Sequence, residues 1–472
     1  MHSTTNSDSA SAQTVRAAHA AHAALPDTQR LQRRHFTLTL YKRGEEIYTK
    51  SRHPVQYGVY HELDTPEVLM RFNLNGEIVS ARGKGADWPN TAEHLKRTAG
   101  NDWVYYSTGG YAGTFETFGA GELQQPVRFR IPSPYNEIYK ATGEFYLPHF
   151  PYPTNTILGS DPLAEPAVQR LVSSWYEILK KTLDSGGTLP EPFASHAAEL
   201  LTKTPERLQE KAERLTSLYG GRVTVLPPGA RHVDYNVLPL AVADGCLYKC
   251  RFCEVKNRKR FAVKPAEEVE AQIRGLRELF GRELANYNAL FLGEHDALHA
   301  GRSDLVSAAE RAVSGLGLME SVLRGCSIFL FGSADSFLQA EEKLFEELNA
   351  LGCAVYINLG LESADQETLD GLGKPLTRET VEASFARLLE VNERYGNVEV
   401  TANFLMGEGL PSGHYPAFLR IAREGLDHPR SKGTLYLSPV MPVHAPRRLL
   451  YEFNQLARLS RLPTYLYTIQ RL

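Results

Sequence analysis

At 472 residues and 42% hydrophobic, the chain exceeds a typical single domain and has the apolar content to bury ordinary cores, so two or three folding units are expected. Its 52 basic and 55 acidic residues leave a net charge of -3, which excludes a global electrostatic bias toward a polyanion; any nucleic-acid contact would need a local patch. No run approaches the ~18 apolar residues of a membrane span, and no charged start leads into an apolar core, so the expectation is a cytoplasmic protein without a span.

Residues 1–34, rich in Ala, Ser, Thr and His without an apolar period, read as a disordered leader. Short alternating runs follow, among them His35–Tyr41, Val68–Phe72 and Val127–Ile131, separated by Gly, Asn and Pro. They predict a β-rich N-terminal domain over 35–160. Within it, Trp103–Phe115 and Tyr135–Tyr152 are dense in aromatics and glycine, which fits an aromatic β core with tight turns better than a stacking platform. Helical spacing of Leu171, Trp175, Ile178 and Leu179 marks a connector over 161–230.

From 231 to 445 the chain alternates strand-like runs with amphipathic stretches. The runs are Val237–Val242, Ala289–Leu292, Ser327–Phe331, Ala354–Leu359, Val398–Met406 and Thr434–Ser438. Helices are predicted over 265–280, 303–316, 339–350, 378–395 and 415–426, the first opened by Pro265 with Glu267 and Glu268 in its first turn. The fold class is therefore α/β, a partial (β/α)6 barrel behind a β-rich N-terminal domain. Right-handed crossovers would gather the C-terminal strand ends on one face, where barrel enzymes build their sites. A C-terminal extension over 446–472 ends in Leu462–Gln470, which reads as one more strand at the barrel edge.

Five cysteines are too few for a disulfide framework, and three of them, Cys246, Cys250 and Cys253, form a CxxxCxxC loop directly after the first barrel strand. Thiolates are soft ligands; three from one tight loop can hold three irons of a 4Fe-4S cube and leave the fourth open. A zinc site completed by His295 or His299, and a redox pair of Cys250 and Cys253, are the alternatives. Cys326 and Cys353, beside or inside predicted strands, read as buried inert thiols and leave a second cluster without ligands.

The CxxxCxxC spacing with Phe252 before the last Cys resembles the radical S-adenosylmethionine (SAM) superfamily, over about 200 residues from 237 to 440. The resemblance implies that the open iron binds SAM and that its reductive cleavage yields a 5'-deoxyadenosyl radical, which acts on an unidentified substrate. A reductase, flavodoxin or ferredoxin is implied as electron donor. Leu292-Gly293-Glu294 resembles the Gly-Gly-Glu element that meets the cofactor's amino group, with Leu292 in place of one glycine. Gly360-Leu-Glu362-Ser363 resembles a segment of the group containing oxygen-independent coproporphyrinogen oxidase, the methylthiotransferases and the Elongator catalytic subunit. This implies Glu362 and Ser363 as polar contacts of the cofactor. Phe404-Leu-Met406-Gly407 followed by Gly409-Leu-Pro-Ser-Gly413 resembles that group's turn near the adenine, and Leu437–Pro439 would flank the base. Where related members often carry a glutamate this chain has Phe331, which moves the expected contact to Ser333 or Asp335.

Two features remain beside that reading. Lys256–Arg260 is a basic run that could meet a phosphate or carboxylate, but a short run on a chain of nearly neutral charge reads better as a solvated loop. His295 reads equally as an acid, base or substrate anchor and as a surface histidine. The competing functions are an RNA-modifying member of the same superfamily and a non-enzymatic metal-binding or redox-sensing protein.

Overall fold

The computed structural model describes residues 25–44, 48–50, 53–55, 58–88, 93–107, 145–146, 162–233, 235–248, 250, 260–440, 446–467 and 472. The N-terminal strands are β1 (Gln29–Gln32), β2 (Thr37–Arg43), β3 (Tyr48–Lys50), β4 (His53–Val55), β5 (Val59–Asp64), β6 (Val68–Phe72), β7 (Ile78–Gly83), β8 (Glu93–Arg97), β9 (Trp103–Ser107) and β10 (Phe145–Tyr146). Eight of them form one sheet in the order β1-β2-β5-β6-β7-β8-β9-β10, and β3 pairs with β4. Alternation sets its buried face: Leu38 and Leu40 of β2 and Val68, Met70 and Phe72 of β6 are all buried. Strand β1 lies inside the expected leader, because Gln29–Gln32 ladder antiparallel onto β2. The predicted strand at 127–131 and most of the two aromatic stretches lie outside the described residues.

Three helices follow the sheet: α1 (Pro166–Ser185), α2 (Phe193–Leu201) and α3 (Pro205–Tyr219). Helix α1 buries Val168, Leu171, Trp175, Leu179 and Leu183, a stripe at helical spacing. Helix α3 starts at Thr204, whose hydroxyl accepts from the Arg207 N–H with Pro205 next to it, and stops at Gly220 in the left-handed region.

Between sheet and connector lie two histidines in contact, their ring planes tilted by 46°. The rings of His61 on β5 and His196 on α2 are 4.0 Å apart, and His61 Nδ1 accepts from the Tyr41 N–H. Burial pushes His61 from its ordinary 6.5 down to about 3, with His196 and Arg282 adding repulsion. Burial and Arg282 push His196 down to about 4; Glu199 Oε2 stands 3.8 Å from His196 Nδ1. Both rings fold neutral, so below pH 6.5 the unfolded chain binds protons that the folded one refuses. Stability from this pair is fully present above about pH 6.5 and is lost as pH falls toward 4, by about 2 kcal/mol for each ring at pH 5. Urea unfolding at pH 7 and pH 5 checks this: the acid loss should shrink in His61→Phe, and an unchanged loss would refute the assignment.

The second half contains β11 (Leu238–Pro239), β12 (Ala243–Asp244), β13 (Ala262–Val263), α4 (Ala266–Phe280), β14 (Ala289–Phe291), α5 (Arg302–Gly315), β15 (Ser327–Gly332), α6 (Ala334–Gln339), α7 (Glu342–Ala350), β16 (Ala354–Glu362), α8 (Gln366–Leu372), α9 (Arg378–Arg394), β17 (Val398–Met406), α10 (His414–Leu419), β18 (Leu435–Pro439), α11 (Pro446–Leu459) and β19 (Thr464–Leu466). Strands β11, β14, β15, β16, β17, β18 and β19 form one parallel sheet in that sequential order. Among the described residues the edges β11 and β19 do not pair, so the sheet there is an open barrel of seven strands, one more than expected. The extra strand is the predicted C-terminal one, which pairs parallel with β18 after α11.

Several elements differ from expectation. The first strand shrinks to two residues: the Leu240 N–H still donates to the Phe291 carbonyl, but the next N–H, that of Ala241, is taken by Gln272 Oε1. The helix expected over 339–350 begins earlier, as the separate α6 and α7, and 415–426 becomes α10 with a π turn over Arg420–Glu424. Helix α8 was unforeseen; Asp365 caps it by accepting from the Thr368 N–H, and Gly373 ends it in the left-handed region.

Inside the barrel, His232 stacks on Tyr356 at 4.5 Å and Tyr356 on Phe329 at 5.2 Å. Gly229 fits against those rings, where a Cβ would come within 3.0 Å of Phe329. Residues 228–232 thus fill the N-terminal mouth of the barrel and leave its C-terminal mouth for chemistry. Asn286 joins the two halves, exchanging hydrogen bonds with the N–H and C=O of Val59 at 2.8 Å each. Burial pushes the neighbouring Glu283 carboxyl up to about 8, and its Oε2 accepts from Leu74 N–H and Asn286 Nδ2.

Candidate active site at the C-terminal mouth of the barrel

The cysteine loop leaves the sheet through β12 and returns through β13, which pair antiparallel as Ala243↔Val263 and Asp244↔Ala262. A short ladder therefore closes the loop at its base. Gly245 turns the chain with φ +77°. Cys246 follows half-buried, Leu247 is 38% exposed and Cys250 is buried. Burial holds the Cys246 thiol above its ordinary value, with Asp296 and Cys250 adding and Lys374 opposing. Cys253, Phe252 and Lys256–Lys259 lie outside the described residues.

Tyr248 ties this loop to the rest of the mouth. Its hydroxyl donates to Asp335 Oδ2 at 2.6 Å and accepts from the Asp335 N–H at 3.2 Å. Lys374 lies over its ring, 5.5 Å from the centroid. Lys374 Nζ in turn meets Glu362 Oε1 at 3.3 Å, both side chains being buried. Glu362 sits on a register shift between Gly360 and Glu362 with φ +65°, a conformation that costs a residue bearing a side chain about 1–3 kcal/mol. A Cβ at Gly360 would press on both Glu362 Oε1 and Lys374 Nζ, so glycine leaves room for the pair.

Asp296 forms a second anchor. Its buried carboxylate accepts from the Ser333 N–H at 3.0 Å and the Ser336 hydroxyl at 2.7 Å. Ser336 Oγ also lies 3.2 Å from His299 Nδ1. Ser333 caps α6 by accepting from the Ser336 N–H, which places it on this face but engages its oxygen within the protein.

The other sequence-derived residues are distributed as follows. Gly293 takes φ +106°, and a Cβ there would stand 4.0 Å from the Val242 N and from Ala297, so the backbone after β14 is open to close approach. The Glu294 carboxylate is engaged within the protein: its Oε1 accepts from the Thr224 N–H, the Thr224 hydroxyl at 2.6 Å and the Val225 N–H at 2.9 Å. Ser363 is fully buried, 2.8 Å from His414 Nδ1 and accepting from the Asp365 N–H. His414 Nε2 lies 2.8 Å from the Leu405 carbonyl, so Ser363 supports the loop from behind. Met406 is wholly buried at the end of β17. Phe331 faces Phe291 edge-on inside the barrel, while Asp335 took up the Tyr248 contact. Burial holds His295 below its ordinary value.

Of the sequence-derived residues, Cys246, Cys250, Gly293, Ser333, Asp335 and Glu362 lie at this mouth; Lys374, Asp296 and Tyr248, which stand beside them, carried no motif that singled them out. Tyr248 carried one signal, its place between two of the cysteines. Below these groups the barrel interior is neutral and polar, with Asn358 Nδ2 donating to Thr401 Oγ1 at 2.9 Å and to Asn403 Oδ1 at 3.0 Å.

No helix among the described residues is long and apolar enough to cross a membrane. No curated protein matches the chain. Among solved structures, it is similar to SuiB of Streptococcus suis at 12% identity and a TM-score of 0.34, covering 80% of this chain and 71% of that one. Methylornithine synthase PylB gives 15% identity and 0.30, covering 56% and 68%, and archaeal Elp3 of Methanocaldococcus infernus 12% and 0.28, covering 48% and 55%. Overlays this loose leave substrate and reaction open. The family model of the Radical SAM superfamily matches residues 240–420, from just after β11 through the cysteine loop to the end of α10. The cysteine loop and the side chains gathered round it thus lie within the segment that matches the Radical SAM superfamily.

Proposed function

We propose that Cys246, Cys250 and Cys253 hold a single 4Fe-4S cluster, and that SAM binds beside it at the C-terminal mouth of the barrel. The observation that carries this reading is the loop's placement. Cys246 and Cys250 share a loop closed at its base by β12 and β13 and stitched to the next strands by the Tyr248–Asp335 bond and by Lys374 over the Tyr248 ring. Two soft donors on one anchored loop suit an iron–sulfur cluster better than a hard cation. Bound there, the cluster and SAM would supply a 5'-deoxyadenosyl radical for hydrogen abstraction.

The chain's own residues supply position and charge. Gly293 permits close backbone approach to the cofactor's polar end. Lys374 keeps a cation beside the cysteines, with Glu362 balancing it. Asp296 fixes the segments after β14 and β15 against each other, so the mouth keeps its shape. The filled N-terminal mouth directs substrate to the same side as the cofactor. A reductase, flavodoxin or ferredoxin would deliver the electron at the exposed Leu247 side of the loop. We further propose a division into a β-rich domain over 35–160, a connector over 161–230 and a core over 231–445.

Anaerobic reconstitution with iron and sulfide, then dithionite and SAM, tests the proposal. Incorporation of about four irons per chain and formation of 5'-deoxyadenosine are expected. Zinc content instead, or a full cluster that leaves SAM intact, would move the chain to the metal-binding or sensor alternative.

A further inference from the structure

The other two cysteines lie at the opposite end of the parallel sheet. Cys326 immediately precedes β15 and Cys353 immediately precedes β16. The strands pair as Ser327↔Ala354, and the Ala354 N–H donates to the Cys326 carbonyl at 2.8 Å. Cys326 and Cys353 are therefore neighbours across one strand spacing of ~4.8 Å, inside the ~4.4–6.8 Å between Cα atoms that a disulfide spans. Strand alternation turns both to the face of Ile328 and Val355, under the helices, where they are 5% and 1% exposed. Their sulfurs are 2.7 Å apart, between the ~2.05 Å of a disulfide bond and the ~3.5–4.0 Å at which non-bonded heavy atoms rest. Met319 Sδ lies 3.8 Å from Cys353 Sγ and Met319 is itself 54% exposed, so solvent is one flexible side chain away.

We propose that Cys326 and Cys353 are not inert but form an oxidisable pair, closed to a disulfide by a small peroxide. The Cys353 sulfur attacks one peroxide oxygen, the O–O bond breaks, and a sulfenic acid and one water result. The Cys326 sulfur then attacks Cys353 Sγ, and the displaced hydroxide leaves as a second water with the Cys326 proton. Two thiols and one hydrogen peroxide thus give one disulfide and two waters, a two-electron oxidation of the protein. Cys353 suits the attacking role: contact with Cys326 pulls its thiol below the ordinary value, while contact with Cys353 and burial push Cys326 up. A reactant as small as a peroxide fits the burial of the pair. The bond would close a separation of 27 residues and staple β15 to β16 at the end remote from Asp335 and Glu362.

The test treats the full-length protein with hydrogen peroxide, unfolds it, blocks remaining thiols with N-ethylmaleimide and maps the digest by mass spectrometry. The expected product is a Cys326–Cys353 linked peptide pair, two hydrogens lighter than the separate peptides and split by dithiothreitol. The oxidised protein should melt about 5 °C higher than the reduced one, a gain absent in Cys326→Ser. If that variant does not fold, the mapping on the unaltered chain decides alone. Recovery of both residues as maleimide adducts or as separate sulfinic acids, under conditions that oxidise Cys246 or Cys250, overturns the proposal. Protection from maleimide before any peroxide, lifted by a chelator, also overturns it, by assigning the pair to a metal.

Discussion

Cys250→Ala should retain the fold and lose SAM cleavage at least about 100-fold. Removing even an outer-shell partner of a metal site costs about 10–100-fold in metal affinity or activity, and here a direct ligand of the proposed cluster is deleted. Cys250 is buried, yet Ala is small and apolar, and the loop keeps its β12–β13 closure and its Tyr248–Asp335 bond. The far-ultraviolet spectrum should therefore stay unchanged while iron content and 5'-deoxyadenosine fall together. Cys326→Ser is the control, since Cys326 lies at the other end of the strands and should leave both near the wild-type level. Normal 5'-deoxyadenosine from Cys250→Ala would remove that residue from the ligand set. Loss in both variants would indicate a general folding defect.

What could be read before the structure was whatever the chain encodes locally. The cysteine spacing lies within eight residues, and the alternation of apolar runs and amphipathic stretches repeats unit by unit, so motif and barrel were both legible. What could not be read depends on the chain returning to itself. Glu294 belongs to a recognisable tripeptide, but its carboxylate is taken by Thr224 and Val225, about seventy positions earlier. Ser363 stands in an equally suggestive segment, yet His414 engages it from behind. Lys374 has no motif at all. It reaches Glu362 only because the unforeseen α8 intervenes, Gly373 ends that helix in the left-handed region, and the strand shifts register between Gly360 and Glu362. Glycine acted as local punctuation, as at Gly373; the partner of a buried charge is a tertiary fact.

That pair yields the second large effect: Lys374→Met should destabilise the protein by about 3–5 kcal/mol, the usual cost of removing one member of a buried ion pair. The Glu362 side chain is 11% exposed and that of Lys374 7%, so a carboxylate left alone there has little water to turn to. Its backbone already stands at φ +65°, and without the 3.3 Å contact to Lys374 Nζ less holds the strained residue in place. Methionine keeps most of the side-chain volume over the Tyr248 ring, so the loss should report the charge rather than a cavity. Adding Glu362→Gln to Lys374→Met should recover much of the stability, because the double variant buries no lone charge; this non-additivity is the signature sought. Urea unfolding of the single and double variants, with the cluster-free protein under reducing conditions, separates stability from catalysis. The same variants then bear on function. If Lys374 also serves the cofactor, the double variant will be stable and still poor at forming 5'-deoxyadenosine; if the pair only braces the cysteine loop, regained stability will bring the activity back with it.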